Sequence, residues 1–297
     1  MPAEEVLAIG DAPLRVELLP AIGGRLHRLR AFGHDLLRTP DDPSEHGRDP
    51  FVWGAFVMAP WCNRTAAVTT HVGPHLVDLP SNFPDGSAIH GQVYAAPWQV
   101  EGDGRLSVRG GGDGWPWPYE CTLRVQVEDA VLIIDLAMTN RAQTPMPGGI
   151  GLHPWFGGPL EVRFDAHEVV RSNTDSAAGL EAVTGQFDLR EMRPMPEGLD
   201  AAWLAAGDPA FEIRWPRLGV RAAARVASDA PAWIVAASPP GLDAVAIEPQ
   251  THAAYGLERF LAGEPGGLQP VSPSATLHLR IELAFALSRA GLAHGRG

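Results

Sequence analysis

The sequence contains no lysine, because each of its 23 basic side chains is an arginine. Chemistry that depends on a lysine Schiff base is therefore excluded. Acidic residues outnumber the arginines, and the 297-residue chain carries a net charge of −12. Since nucleic-acid binding needs a basic surface that neutralises phosphates, we expect no nucleic-acid partner.

Cysteines and long apolar segments are scarce as well. Cys62 and Cys121 are the only cysteines, and two do not make a disulfide framework or a zinc site. No apolar stretch approaches the ~20 residues of a membrane-spanning helix. The acidic N-terminal segment lacks the basic and apolar regions of a secretory signal. We expect a cytoplasmic protein with no membrane partner.

Several catalytic motifs are also missing. There is no HExxH, no pair of CxxC motifs and no GxSxG, and the glycine cluster at 110–114 lacks the GK[ST] of a phosphate-binding loop. The histidines are scattered along the chain rather than spaced as metal ligands. We therefore predict no metal site.

The sequence is rich in short segments with a period of two and in Gly and Pro between them. In the best example, 121–138, Leu123, Val125 and Val127 alternate with polar residues, and a short turn separates them from a second apolar run. This pattern predicts a β-hairpin. Further strands are predicted over 14–19, 106–108, 211–215, 220–226, 233–236, 244–247 and 276–286. Helical patterns are limited to 199–206 and an alanine-rich tail after Leu287.

No linker-like change in composition and no fixed-period repeat divides the chain. We therefore predict a single domain over 1–297. Its class is all-β, a sandwich of large antiparallel sheets with too many strands for a small immunoglobulin-like domain.

Two segments offer an acid and a base. His153 precedes a proline, which favours extended backbone, and neighbouring aromatic residues provide apolar surroundings that shift its pKa. A histidine buried for structural reasons is the alternative. Glu248 follows four apolar residues and precedes Pro249, which predicts the end of a buried strand. Desolvation there raises the carboxyl pKa toward that of a general base, whereas a solvent-exposed glutamate is the alternative.

Three further segments carry polar side chains suited to a ligand. Arg64, after Asn63, offers a planar fork to hydroxyl groups or an oxyanion, or else pairs with a local carboxylate. His90 is followed by Gly91, which permits close approach of the backbone, although a lone histidine is more often a structural hydrogen-bonding group. Asp200 lies at the start of the predicted helix, and its local pattern is that of an N-cap.

Taken in order, these segments resemble the aldose 1-epimerase, or galactose mutarotase-like, family. The resemblance extends over residues 16–285. The segments that carry it are Asn63-Arg64, His90-Gly91, His153-Pro154-Trp155-Phe156, Gly198-Leu199-Asp200 and Ile247-Glu248-Pro249-Gln250-Thr251. Trp155 stands where the family commonly has tyrosine.

The resemblance implies a β-supersandwich with a sugar bound in a broad cleft on one sheet face and no cofactor. It implies that Glu248 is the catalytic base and His153 the general acid of an isomerase that interconverts the α and β anomers of an aldose. The substrate-binding residues that it implies are Arg64, His90, Asp200, Asn63 and Trp155. The expected ligand is a small-molecule sugar, and the expected assembly is a monomer or homodimer.

Two other functions remain open on the same fold. A mutarotase for phosphorylated sugars needs a further arginine near Arg64 or near the loop around Trp117. A non-catalytic carbohydrate-binding or sensing protein predicts loss of the glutamate or histidine, and this chain retains both.

Overall fold

The computed structural model describes residues 6–66 and 69–288. Within these residues the chain forms 26 strands, two short helices and one 3-10 turn. The strands are β1 (Leu7–Ile9), β2 (Leu14–Leu19), β3 (Arg25–Ala31), β4 (His34–Asp35), β5 (Ala55–Met58), β6 (Arg64–Ala66), β7 (Thr69–Val72), β8 (His75–Asp78), β9 (Ser87–Ile89), β10 (Gln99–Gly102), β11 (Arg105–Gly112), β12 (Trp115–Glu128), β13 (Val131–Asn140), β14 (Met146–Gly148), β15 (Gly151–Gly157), β16 (Glu161–Phe164), β17 (Ala166–Val170), β18 (Leu180–Ala182), β19 (Arg193–Pro194), β20 (Asp200–Ala205), β21 (Phe211–Trp215), β22 (Val220–Ser228), β23 (Trp233–Ala237), β24 (Ala244–Gln250), β25 (Gln269–Val271) and β26 (Thr276–Leu287). The helices are α1 (Glu45–Arg48) and α2 (Gly256–Ala262), and the 3-10 turn is Gly185–Phe187.

Most strands belong to two large antiparallel sheets. The eleven-stranded sheet has the order β1-β2-β3-β5-β15-β24-β23-β20-β17-β18, with β4 paired to β3. The nine-stranded sheet has the order β10-β11-β12-β13-β26-β22-β21-β16-β19. The predicted all-β class is confirmed. Neither of the described helices is long and apolar enough to span a membrane.

The predicted hairpin is formed by β12 and β13. Leu123 pairs with Leu136 and Val125 with Ile134, so the apolar residues of both strands share one face. Asp129 has a φ of 53°, the left-handed conformation typical of a two-residue hairpin turn. The other predicted strands are confirmed within β2, β11, β21, β22, β23, β24 and β26.

The main core combines apolar residues of both large sheets. Along β24 and β20, Val245, Ile247, Ala201 and Trp203 belong to this core. The alternate residues point to the opposite face of the eleven-stranded sheet, where smaller apolar clusters form. Every residue of β24 is consequently buried, so polar side chains on the outer face of this strand are also shielded from water.

The predicted helix over 199–206 is wrong, because this segment forms strand β20. The strand pairs with β17 on one side and β23 on the other. Ala201 and Trp203 point into the main core, while Asp200 and Ala202 point outward. Pairing on both sides satisfies the backbone hydrogen bonds and outweighs the intrinsic helix preference of Ala and Leu. The alternative role of Asp200 as an N-cap is excluded for the same reason, because Asp200 begins a strand.

The predicted strand end at Pro249 is also wrong. Strand β24 continues to Gln250, and Pro249 pairs with Ile234 on the β23 side. On the β15 side, Gly151 pairs with Gln250 and Trp155 pairs with Ala246, and no residues pair between these two positions. Proline has no amide hydrogen, and the strand accommodates Pro249 in this gap in the ladder. The alanine-rich tail lies, from residue 289, outside the described residues.

Candidate active site

His153 and Glu248 face each other on neighbouring strands. Strands β15 and β24 pair antiparallel with Trp155 opposite Ala246. His153 precedes Trp155 by two residues and Glu248 follows Ala246 by two. The antiparallel register therefore puts His153 opposite Glu248, where side chains on one face lie close together. His153 Nε2 lies 3.2 Å from Glu248 Oε1. The structure therefore joins the predicted acid and base into one pair.

Burial changes the proton affinity of both members of this pair. The side chain of Glu248 is only 2% exposed and that of His153 5%. Desolvation lowers the pKa of His153 to about 3. Desolvation also raises the pKa of Glu248 well above its usual range, with a further increase from Asp200 that Arg64 opposes. Both shifts have the same cause, since burial favours the uncharged form of each group.

His90 approaches this pair from a tight turn. His90 and Asn63 have φ angles of 62° and 52°, a left-handed conformation that His and Asn adopt more readily than most residues. A Cβ on Gly91 would overlap the carbonyl oxygen of Ala59, which confirms that glycine here permits close approach of the backbone. The His90 ring centroid lies 4.9 Å from that of His153 in an edge-on arrangement.

The hydrogen bonds of His90 determine its tautomer. The backbone N–H of Asn63 donates to His90 Nδ1 at 3.2 Å, so the ring hydrogen is assigned to Nε2. Burial and the nearby His153 lower the pKa of His90 well below its usual range. His90 is consequently a neutral group with one N–H donor.

Arg64 is held between two carboxylates. Its Nε donates to Asp85 Oδ2 at 2.7 Å, and its Nη1 donates to Asp200 Oδ2 at 3.2 Å. Asp200 also accepts a hydrogen bond from Asn173 Nδ2 at 2.7 Å. These contacts orient the guanidinium and neutralise much of its charge. The local-carboxylate alternative is therefore realised, and Nη2 of Arg64 has no hydrogen-bond partner among the described residues.

One cavity of about 300 Å³ contains all of the predicted site residues. Its polar lining consists of Asn63, Arg64, His90, His153, Asp200 and Glu248, and its remaining lining consists of Phe51, Val52, Phe83, Ile89, Trp155, Ala237, Pro239 and Leu242. Oε2 of Glu248 is buried without a hydrogen-bond partner among the described residues, as is Nδ1 of His153. A buried polar atom is normally paired, so Glu248 Oε2 is suited to receive a hydrogen bond from a ligand.

The segment 50–53 forms one wall of the cavity and is anchored by buried Arg25. Arg25 Nη2 donates to the carbonyl oxygen of Pro50 at 2.7 Å, and Nη1 donates to that of Trp53 at 3.1 Å. On the cavity side, Trp155 Nε1 donates to the carbonyl oxygen of Phe51 at 2.6 Å. Charged and aromatic side chains thus fix a loop that has no regular secondary structure.

Sequence reasoning missed several of these residues. Asp85 lies in a Pro-Asp-Gly turn and Asn173 in a polar loop, where such residues are common for conformational reasons alone. Phe51 and Leu242 also lie outside strands. No local pattern distinguishes these positions, since their importance depends on which distant segments they contact.

A second concavity in the described part of the chain lacks a buried acid–base pair. This concavity, of about 500 Å³, lies over β10–β12 and is lined by Glu101, Gly102, Asp103, Arg105, Ser107, Glu120, Thr122 and Arg124. These side chains are mostly solvent-accessible and include no histidine, so they form no buried acid–base pair. No cluster of three or more His, Cys, Asp or Glu residues suited to a metal ion occurs within residues 6–66 and 69–288.

Comparisons with known proteins agree with this fold. The GalM/aldose epimerase homologue from C. elegans has a TM-score of 0.78 and 20% identity, over 96% of this chain and 99% of that chain. A galactose mutarotase-like protein from Clostridium acetobutylicum has a TM-score of 0.77 and 16% identity, over 95% of both chains. The galactose 1-epimerase from Lactobacillus acidophilus NCFM has a TM-score of 0.75 and 15% identity, over 97% of both chains.

Sequence comparison gives a more specific result. A search of curated proteins returns no match. The family model described as aldose 1-epimerase matches residues 11–254, which is most of the chain. The chain therefore belongs to the aldose 1-epimerase family.

Proposed function

We propose that this chain is an aldose 1-epimerase that interconverts the α and β anomers of an uncharged aldose. The observation that carries the proposal is the buried contact between His153 and Glu248 in a cavity of about 300 Å³. A volume of this size lies at the small end of ligand pockets and suits a single sugar ring.

The chemistry requires two proton transfers, one from the O1 hydroxyl and one to the ring oxygen O5. Glu248, as a carboxylate, removes the proton from the O1 hydroxyl while His153, as an imidazolium, donates a proton to the ring oxygen O5. The C1–O5 bond breaks, C1 becomes an aldehyde carbon, and rotation about C1–C2 presents its other face. Reclosure reverses both transfers, so protons and electrons balance with no further reactant.

The pKa shifts of the pair support this assignment. Because burial raises the pKa of Glu248, its carboxylate is a stronger base than one in water. Because burial lowers the pKa of His153, its protonated ring is a stronger acid. The proton can reside on either member, so the same pair serves both directions of the reaction.

The remaining polar residues have supporting roles in this proposal. The Nε2–H of His90 and the guanidinium of Arg64 are donors suited to charge that develops on a sugar oxygen. Asp200 is an acceptor for a ring hydroxyl, and Asn173 holds it in place. Asn63 positions the adjacent arginine, since its Oδ1 accepts the backbone N–H of Arg64 at 2.8 Å.

An uncharged sugar is favoured over a sugar phosphate. Arg64 is the one arginine among the described residues that line the cavity, and Asp85 and Asp200 already pair with it. Trp117 lies in strand β12 and belongs to the main core, and no described arginine near it lines the cavity. A phosphate would therefore be desolvated without a free cation to bind it.

The test is mutarotation of freshly dissolved α-aldoses, followed by polarimetry or by NMR of the anomeric protons. We expect acceleration above the spontaneous rate and a loss of at least about 100-fold in Glu248→Gln, because a positioned proton transfer contributes that much or more. Sugar binding, measured by calorimetry, is expected to remain.

The matched control is Glu168→Gln, which makes the same chemical change at an exposed position on β17. It is expected to keep the wild-type rate. Full activity in Glu248→Gln would reject the assignment of the base. Binding without acceleration in the wild-type protein would instead favour a carbohydrate-binding function.

A further inference from the structure

We propose that Asp85 determines which ligand charge the cavity accepts. By neutralising Arg64, it makes the cavity accept uncharged aldoses and reject aldoses that carry a carboxylate. The proposal rests on the proposed function, because the ligand is taken to be an aldose. Asp85 acts through Arg64 and contacts no ligand itself, so it is a positioning residue that sets specificity rather than a catalytic residue.

The contact between Arg64 and Asp85 is a short ionic hydrogen bond. Arg64 Nε donates to Asp85 Oδ2 at 2.7 Å, and the Arg64 side chain is only 12% exposed. Such a bond to a mostly buried guanidinium is screened less by solvent than a surface ion pair. Burial opposes ionisation of Asp85, but hydrogen bonds from Arg64 and Ser87 outweigh this effect and lower the pKa of Asp85. Asp85 is therefore negatively charged at neutral pH.

The turn before β9 holds Asp85 in this position. Asp85 Oδ1 accepts hydrogen bonds from the backbone N–H of Ser87 at 3.0 Å and from Ser87 Oγ at 2.6 Å. Ser87 begins β9, and β9 pairs with β6, where Arg64 lies opposite Ile89. One oxygen of Asp85 is thus fixed by its own turn, and the other faces the arginine of the neighbouring strand.

The second carboxylate on this arginine is Asp200, at 3.2 Å from Arg64 Nη1. One guanidinium and two carboxylates give the three side chains a net charge of −1. Among the described residues, Arg64 and Asp200 line the cavity and Asp85 does not. Removing the charge of Asp85 would therefore bring the group to zero net charge without removing a side chain that lines the cavity.

The small size of the cavity makes this charge matter for any orientation of the sugar. A cavity of about 300 Å³ is roughly 8 Å across, so a charged group on a bound sugar lies near Arg64 however the ring binds. Two unit charges about 10 Å apart, at an effective dielectric constant of about 20, change an equilibrium constant by about 10-fold or more. Asp85 is 39% exposed, and we therefore expect the lower end of this range.

The experiment compares sugars that differ in charge but share the configuration of their ring hydroxyls. D-galactose carries a hydroxymethyl group on C5, and D-galacturonate carries a carboxylate there. We expect wild-type protein to have the higher kcat/KM for D-galactose. In Asp85→Asn the ratio of kcat/KM for D-galacturonate to that for D-galactose is expected to rise by about 10-fold. D-glucose and D-glucuronate provide an independent pair.

Three further variants separate charge from the structure of the turn. Asp85→Glu keeps the charge but changes the turn, and it is expected to keep the wild-type ratio. Asp208→Asn removes the same charge from an exposed ion pair with Arg225 Nε, at 2.9 Å, and is also expected to keep that ratio. Asp85→Ser removes the charge with a smaller side chain and replaces Asp85→Asn if that variant does not fold.

A purely structural role of Asp85 would affect both sugars of a pair equally and leave their ratio unchanged. An unchanged ratio in the folded variant that lacks the charge, or the same change in Asp85→Glu, would therefore overturn the proposal. Wild-type protein that favours D-galacturonate would overturn it as well.

Calorimetry with the same sugars separates failure of this proposal from failure of the proposed function. Turnover with an unchanged ratio in Asp85→Asn rejects only the role of Asp85. Binding without turnover, with a ratio of Kd values that shifts toward the uronate in Asp85→Asn, rejects the enzyme function but supports the role of Asp85. Neither turnover nor binding of any aldose rejects both.

Discussion

His252 is a fully buried histidine that connects the end of β24 to the loop carrying Asn63 and Arg64. Its Nε2 accepts the backbone N–H of Cys62 at 2.9 Å, and its Nδ1 lies 2.7 Å from the carbonyl oxygen of Ala253. Both bonds form only when the ring is neutral with its hydrogen on Nδ1. Protonation would place a second N–H against the N–H of Cys62 and disrupt this connection.

The pKa of His252 gives the expected effect of pH on stability. Burial lowers this pKa from 6.5 to about 4. Between these values the unfolded chain binds the proton and the folded chain does not, so the free energy of unfolding increases with pH. The contribution is fully present above pH 6.5 and is lost as the pH falls toward 4. This difference corresponds to about 3 kcal/mol.

The assay is urea unfolding at pH 7, 6, 5 and 4, with wild-type protein and His252→Gln. Glutamine retains an oxygen that can accept the Cys62 N–H but does not titrate. We expect the variant to lose about 3 kcal/mol less stability than wild type between pH 7 and 4.

The matched control is His278→Gln, at an exposed position on β26, which is expected to keep the wild-type pH dependence. The same pH dependence in His252→Gln and wild type would refute the argument that His252 must remain neutral.

Two further predictions concern the backbone around the cavity. Arg25→Met removes donors to buried carbonyl groups of the cavity wall, and we expect the free energy of unfolding in urea to fall by about 3 kcal/mol. The control is Arg225→Met, at an exposed ion pair, which is expected to lower the free energy of unfolding by less than about 1 kcal/mol. Similar losses in the two variants would contradict this account. Gly91→Ala forces overlap with a backbone carbonyl, whereas Gly33→Ala has open space at a similarly positive φ. We expect Gly91→Ala to lower the thermal midpoint more and to raise KM, and equal midpoints would show that the turn relaxes freely.

The strands were predictable where local alternation and local pairing coincide. In the β12–β13 hairpin, a short turn joins the strands that carry the paired residues Leu123 and Leu136. The alternation of apolar residues and the turn residues therefore suffice to predict the hairpin. The helix prediction for 199–206 was wrong because this segment becomes a strand only by pairing with β17 and β23, which are distant in sequence. The predicted strand end at Pro249 was wrong because no local sequence pattern indicates the gap in the pairing with β15 that accommodates this proline.

The candidate site shows a similar division. The resemblance directed attention to His153, Glu248, Arg64 and His90, and the structure places them around one cavity. Their roles in binding and turnover remain predictions. Asn173 could not be selected, since a polar loop residue becomes important only through the carboxylate that it contacts.

By itself the sequence determined the alternating strands and the chemical types available for catalysis, because both depend on residue identity and near neighbours. Only the tertiary structure decided that His153 lies opposite Glu248 and that Trp155 and Leu242 share an apolar patch. Those outcomes depend on register between distant strands and on burial by loops. Desolvation, and hence the opposite pKa shifts of the pair, exists only after the chain has folded.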